Sequence, residues 1–406
     1  MAEADTNIYS AGALTGVRVL DLTGTRGNFG AKLIAGLGAD VIKIEPPGGD
    51  DLRHHGPYAG GQEGPERSLT FAINNINKRG ITLNLESGEG QLLFRRLATN
   101  ADVVLETADP GWMDGRGVGF KALGALNPRL IYAAITPYGQ TGPFAHYKGS
   151  EMSGQAMGGA MFMTGTPGER PLRAAWLVSD KMAGYTAAAA TMFALYHART
   201  TGRGQYIDVS TQEAVVAQME SAPVLYWFAG TVRQRNGWRY PSTTCPAGIY
   251  PAKDGYASIV ASKPHQWTGL RDWIGDERLM EERYMIEANR FADRDYVDPI
   301  IIEWTRTMPK AELFHGGQRR GVPIGESMAP ADLVHDVHLL QRGYIVAGDH
   351  PEIGPHQLPG PPFPMSGTPW RLRRSAPLLG EHNAELFAEL GVNEAELVGL
   401  KERMVI

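Results

Sequence analysis

Two carboxylates and a set of cations carry the chemistry that this sequence offers. Asp180 stands where a short apolar run ends in Ser179-Asp180 and an Ala-rich helical stretch begins at once. A carboxylate at a helix start meets unpaired backbone N–H groups and the positive end of the helix dipole, which favour the anion. Taken alone, that is the ordinary place of an N-capping residue. Glu151, in Lys148-Gly149-Ser150-Glu151, opens an earlier helical stretch, where a positioned carboxylate can orient a substrate or handle a proton. The cations and donors are Lys148, Arg53 in Gly48-Gly49-Asp50-Asp51-Leu52-Arg53, and the triplet Asn77-Lys78-Arg79. A lysine is a compact point charge suited to phosphate, although a single surface Lys or Arg is ordinarily just solvated.

The elements that must position these groups alternate along the chain. Residues 17–22 read as a buried strand, the loop 23–28 feeds a helix running to residue 37, and 41–45 follows as a second strand, which makes a βαβ unit. Further strands are expected at 103–106 and 130–135, separated by amphipathic helical patterns such as 88–98. The alternation predicts an α/β fold whose first half is Rossmann-like, a mostly parallel sheet with helices on both faces. After the Ala-rich helix, about 182–197, the character changes. Residues 225–330 carry clustered Trp and Tyr, a hairpin-like piece at 248–260 and charged helices around 271–307, the pattern of a smaller α+β domain. Tyr226, Trp227, Trp238 and Tyr240 suit either a pocket wall or a packed core. Residues 354–367 are rich in Pro and Gly and read as an extended connection, and a terminal helix is expected at 383–390. The division is therefore 1–224, 225–330 and 331–406.

Bulk properties narrow the function classes. A chain of 406 residues exceeds the size at which one core usually stops growing, so two domains are expected. With 43% hydrophobic and 20% charged residues it reads as a soluble globular protein. A formal charge of −5 argues against a nucleic-acid surface. Cys245 is the one cysteine, so no intrachain disulfide forms, which fits a reducing cytosol. The amino terminus lacks a basic region followed by an apolar core, so no secretory leader is expected. The Ala-rich helix is too short, and too rich in Ala, Thr and Tyr, to span a bilayer. The expected location is the cytoplasm. His54-His55 and His335 with His338 come without H-E-x-x-H or paired cysteines, so no metal centre is expected. Gly24, Gly27 and Gly30 echo a dinucleotide fingerprint, but their G-x-x-G-x-x-G spacing is not G-x-G-x-x-G.

Asp180 and Gly184 belong to a longer pattern that ends in Thr201-Gly202-Arg203-Gly204-Gln205. Upstream lie Gly38-Ala39-Asp40-Val41-Ile42-Lys43-Ile44-Glu45, Asn77-Lys78-Arg79, Asn127-Pro128-Arg129-Leu130-Ile131-Tyr132 and Gly139-Gln140-Thr141-Gly142-Pro143. Near the end stands Ala376-Pro377-Leu378-Leu379-Gly380-Glu381-His382. Together these stretches resemble the class III CoA-transferases, the CaiB/BaiF family of formyl-CoA transferase and carnitine CoA-transferase. They span about residue 15 to 390. The first strand and loop also resemble subunits of benzylsuccinate CoA-transferases.

The resemblance implies that Asp180 is the nucleophile in CoA transfer between two carboxylic acids, with Glu151 as a second catalytic carboxylate. It implies coenzyme A as the acyl-CoA substrate, held by Lys148, Arg53, Asn77, Lys78, Arg79, Thr25, Arg26, Thr107 and Arg116. It also implies an interlocked dimer, of this chain alone or with a related subunit. Several positions depart from the family pattern. Gly27-Asn28-Phe29, preceded by Arg26, stands where members read Ala-Gly-Pro. Glu106-Thr107-Ala108-Asp109-Pro110-Gly111 replaces Glu-Asn-Phe-x-Pro-Gly. Gly115 stands where an Arg is usual, with Arg116 one place on, and Ser179 replaces a Gly. These changes admit a non-catalytic partner subunit. A 2-methylacyl-CoA racemase of the same family would need a His beside Glu151, and Ser150 occupies that place.

Overall fold

The computed structural model describes residues 12–175, 177–241 and 243–406, so the amino-terminal segment read above for a leader lies outside the described residues. The chain forms two compact units: 1–160 with 174–223 and 340–406, and 161–173 with 224–339.

The first unit is built on six parallel strands: β1 (Arg18–Leu22), β2 (Asp40–Glu45), β3 (Lys78–Thr82), β4 (Val103–Glu106), β5 (Ile131–Thr136) and β6 (Tyr206–Ser210). Their order is β3-β2-β1-β4-β5-β6. The order reverses between β1 and β4, and in such sheets ligands bind in the crevice beyond the carboxyl ends of the strands at that point. Successive side chains on a strand face opposite ways, and both faces are buried here. Leu20, Ile42, Val104 and Tyr132 pack on one side with Phe94 of the helix Gly88–Thr99 and with Leu386 and Phe387. Val19, Val41, Val103 and Ile131 pack on the other with Ile34 of α1 (Asn28–Gly36) and with Leu195 of the long helix Val178–Thr201.

The long helix is Ala-rich where it meets its neighbours, and at Gly184 it meets α1 without side chains between. A Cβ built on Gly30 of α1 would lie 2.4 Å from the Gly184 carbonyl oxygen. The two backbones touch, and this contact brings the first turn of the long helix against the loop after β1. The helix ends at Gly202, whose φ of 74° is the left-handed cap that glycine adopts freely.

Strand β3 carries Lys78 and Arg79, two of the charges expected as ligand groups. Lys-Arg-Gly-Ile-Thr does not alternate as a strand should, yet all five residues are buried. Their charges are neutralised by acids that lie far away in sequence. The Pro-rich connection also differs from expectation: His356–Pro359 pairs antiparallel with Ile345–Gly348. A helix at Glu394–Glu402 follows the expected one, found at Asn383–Ala388.

In the second unit, Ala247–Ala252 and Gly255–Val260 form a hairpin extended by Ile324–Glu326. It packs helices around Trp267, Leu270, Ile301 and Leu313. The aromatic cluster is not part of this core, since Trp227 is 84% and Tyr240 63% exposed. Among the described residues no helix is long and apolar enough to cross a membrane.

Candidate active site

The loop after β1 is held by a buried polar network. Thr23 donates from its N–H and its hydroxyl to Asp21 Oδ1, at 2.9 and 2.6 Å. Lys78 Nζ donates to Asp21 Oδ2 at 2.7 Å and to Asn75 Oδ1 at 2.9 Å. Lys43 Nζ donates to the Thr23 carbonyl and to Asp50, each at 2.5 Å. Buried charges are tolerated when paired and fully hydrogen-bonded. Here they fix the path of Thr23, and with it the positions of Thr25 and Arg26.

Asp180 lies in the first turn of the long helix and is 5% exposed. The residue before that helix, Leu177, has φ 47°, a left-handed conformation that costs a leucine energy and marks functional turns. The N-cap residue itself offers no side-chain bond to the helix start, and Glu151 Oε1 accepts from the Ser179 N–H in its first turn at 3.4 Å. Arg26 Nε stands 3.9 Å from Asp180 Oδ1, and neither atom has a hydrogen-bond partner although both are buried. Burial raises the Asp180 pKa, Arg26 opposes the rise and Glu151 adds to it, leaving the carboxyl at about 6. The carboxylate is thus poorly solvated, with Oδ1 free of hydrogen bonds.

Glu151 begins the helix Glu151–Met157, capped by Ser150. Gln155 Nε2 donates to its Oε1 at 2.5 Å, and Ser179 donates its hydroxyl to the Glu151 carbonyl at 2.8 Å. Ser179, the departure from the family glycine, therefore ties the two acidic helix starts together. Arg26 also reaches the Gly149 carbonyl, at 3.4 Å. The structure brings Glu151 and Arg26 beside Asp180, and Asp180 and Thr25 line a cavity of about 560 Å³.

The expected phosphate ligands divide into two groups. Arg53 is fully buried, bonded to both oxygens of Glu45 at 2.6 and 2.8 Å and to Glu66 at 2.6 Å, with its guanidinium over the Phe71 ring. Asn77 bonds the backbone of Arg371 and Arg373, and Lys78 belongs to the Asp21 network. Arg79 pairs with Asp40, Glu385 and Glu389. All four are engaged within the protein, and binding a phosphate would require giving up these bonds. Lys148 is exposed, whereas Arg116 is half-buried. Lys148 meets Asp109 at 2.5 Å with both side chains largely exposed, and Arg116 meets the exposed Glu86 at 2.5 Å over the Trp112 ring.

Asp109, Glu86 and Trp112 also line a second cavity, of about 500 Å³, beyond the carboxyl ends of β1, β2 and β4. Thr107 lies on its wall and accepts a hydrogen bond from the Gly24 N–H at 2.9 Å. Glu106 lines it as well, with a carboxyl that burial pushes up to about 8. Among the described residues no His, Cys, Asp and Glu cluster could hold a metal ion.

Sequence reasoning missed Lys32 and Lys181, which line the Asp180 cavity. A signal was present. Lys32 lies four residues after Asn28 on an otherwise apolar α1, and Lys181 directly follows Asp180.

Comparison with known proteins places nearly the whole chain among the CoA-transferases. The model of CoA-transferase family III matches residues 14–383. The chain is 34% identical over 395 residues to succinyl-CoA:(R)-benzylsuccinate CoA-transferase subunit BbsE of Thauera aromatica, covering 94% of this chain and 95% of that one. It is 33% identical to formyl-CoA:oxalate CoA-transferase of Streptomyces avermitilis, covering 97% and 99%. Among solved structures, a CAIB/BAIF family protein from Brucella suis superposes with a TM-score of 0.85 at 30% identity, covering 94% of this chain and all of that one.

Proposed function

The chain belongs to CoA-transferase family III, and from that premise we propose that it moves CoA from an acyl-CoA to a free carboxylic acid with Asp180 as the covalent carrier. The observation that carries this reading is the Asp180 carboxylate, buried, unbonded at Oδ1 and in the first turn of a helix.

The steps balance as follows. An Asp180 oxygen attacks the thioester carbonyl, the C–S bond breaks, and CoA thiolate leaves a mixed anhydride. The thiolate then attacks the Asp180 carbonyl of that anhydride. The donor acid departs as a carboxylate with the bridging oxygen, and an aspartyl-CoA thioester remains. The acceptor carboxylate displaces the thiolate to form a second anhydride. The thiolate attacks the acceptor's carbonyl, which yields the new acyl-CoA and returns Asp180 as a carboxylate holding one oxygen from the acceptor. Arg26 and the helix N–H groups are placed to stabilise the successive oxyanions, and Glu151 is placed to orient the acids. Lys148 and Arg116 would meet the phosphates of CoA, with the second cavity receiving its nucleoside end at the switch point between β1 and β4.

The test is isotopic. With ¹⁸O-labelled acceptor acid, label should appear in Asp180 and, over repeated turnovers, in the released donor acid. Turnover that leaves both unlabelled excludes the carrier role. We further propose a cytoplasmic, obligate interlocked dimer, of this chain alone or with a related subunit. An active monomer in light scattering at high dilution would defeat it.

A further inference from the structure

The cavity that holds Asp180 carries a charge imbalance that the transfer chemistry does not use. Of the residues lining it, Asp180 is the sole acid, whereas Lys32 and Lys181 both face in. Among the described residues neither lysine is paired with a carboxylate: their ammonium groups stand 5.8 and 5.6 Å from the Phe29 ring centroid. Burial, reinforced by Lys181 and Lys78, lowers the Lys32 pKa to about 8, as expected of a partly desolvated ammonium with no counter-ion. Two cations on adjoining helices, one from α1 and one from the long helix, thus lack the anion that would relieve them.

The anion should belong to the acid being exchanged. The phosphates of CoA are separated from its thioester by the whole pantetheine arm, so a negative group resting beside Asp180 comes from the acyl chain or the free acid. The remaining wall is largely apolar, with Phe29 and Tyr185 edge to face at 4.9 Å and Leu33, Leu69 and Ile73 around them. We propose that Lys32 and Lys181 receive the far carboxylate of a dicarboxylic acid with an apolar body, while its near carboxylate meets Asp180. The assignment rests on Asp180 as the acyl carrier and adds the substrate class and the two residues that select it.

The test compares 2-phenylsuccinate with 3-phenylbutanoate, in which a methyl group replaces one carboxylate, on the purified full-length protein. Calorimetry should show wild type binding the diacid at least about 10-fold more tightly, the scale of one charge-assisted hydrogen bond or more. In Lys32→Met and Lys181→Met the ratio of diacid to monoacid affinity should fall toward one, while Lys32→Arg and Lys181→Arg retain a preference. Circular dichroism confirms that each variant is folded. Equal affinities in wild type, or an undiminished ratio in both methionine variants, overturns the proposal. Asp180→Asn separates the two readings, since it should lose transfer yet keep the diacid preference. A preference that depends on the lysines in a protein whose Asp180 takes no label would sink the carrier role and leave the lysine site standing.

Discussion

Arg26 Nε and Asp180 Oδ1 stand 3.9 Å apart, both buried and neither hydrogen-bonded. The separation is too long for a hydrogen bond and short enough for strong Coulombic attraction in a poorly solvated site. The cation therefore favours the charged carboxylate without occupying Oδ1, which leaves that oxygen open for the attack proposed above.

Arg26→Leu should raise the Asp180 pKa, because the charge opposing its rise is removed. The nucleophile must be ionised, so in wild type kcat/KM should climb with pH through about 6. In the variant the acid limb should move to higher pH. A pH–rate profile measured with saturating acid checks this, and an unmoved limb would leave Arg26 with substrate contacts only.

Asp180 should cost the fold stability near neutral pH. Its carboxyl is raised in the folded state from 3.8 to about 6, so between these values the folded protein binds more protons than the unfolded one. Stability from this group is complete below about pH 4 and is lost as the pH rises through 6. Asp180→Asn should therefore be inactive yet more stable at pH 7.5 by about 2–3 kcal/mol, with the difference vanishing near pH 4. Denaturant titrations at the two pH values decide it.

Gly30→Ala should disturb catalysis from a distance. The added methyl would sit 2.4 Å from the Gly184 carbonyl oxygen, against backbone that cannot swing aside. A loss of about 1–3 kcal/mol in stability is expected. A drop in kcat larger than the change in KM is expected with it, as Asp180 shifts relative to Arg26.

Lys148→Ala and Arg53→Ala should part company. The Lys148–Asp109 pair is exposed and such pairs contribute at most about 1 kcal/mol, so the Tm of Lys148→Ala should barely change. Its KM for acyl-CoA should rise, with binding weakened by roughly 1–3 kcal/mol. Arg53→Ala leaves Glu45 buried and unpaired and should destabilise by about 3–5 kcal/mol. A normal Tm with weakened CoA binding in Arg53→Ala would restore it to the phosphate site.

Much of the first unit was legible from alternation alone. Residues 17–22, 41–45, 103–106 and 130–135 fall on β1, β2, β4 and β5 within a residue or so at the ends, because a strand buried on both faces announces itself as a short apolar run. Strand β3 was not legible. Its lysine and arginine are neutralised by Asp21, Asp40, Glu385 and Glu389, and nothing local distinguishes a paired charge from a solvated one. The same blindness hid the buried pairing of Arg53 with Glu45 and the cavity that Lys32 and Lys181 line.

By itself, then, the sequence determined the alternating α/β architecture, the family pattern and the helix start that carries Asp180, because alternation, turn residues and helix starts act over a few neighbouring residues. Tertiary structure alone decided which charges are spent and which are free. Arg79 meets Glu385 across 306 positions, and Arg53 meets the Pro377 carbonyl across 324. The shifted carboxyl of Asp180 depends on burial and on Arg26 and Glu151. Electrostatic energy follows distance through space and loss of water, and neither quantity is written in the order of residues along the chain.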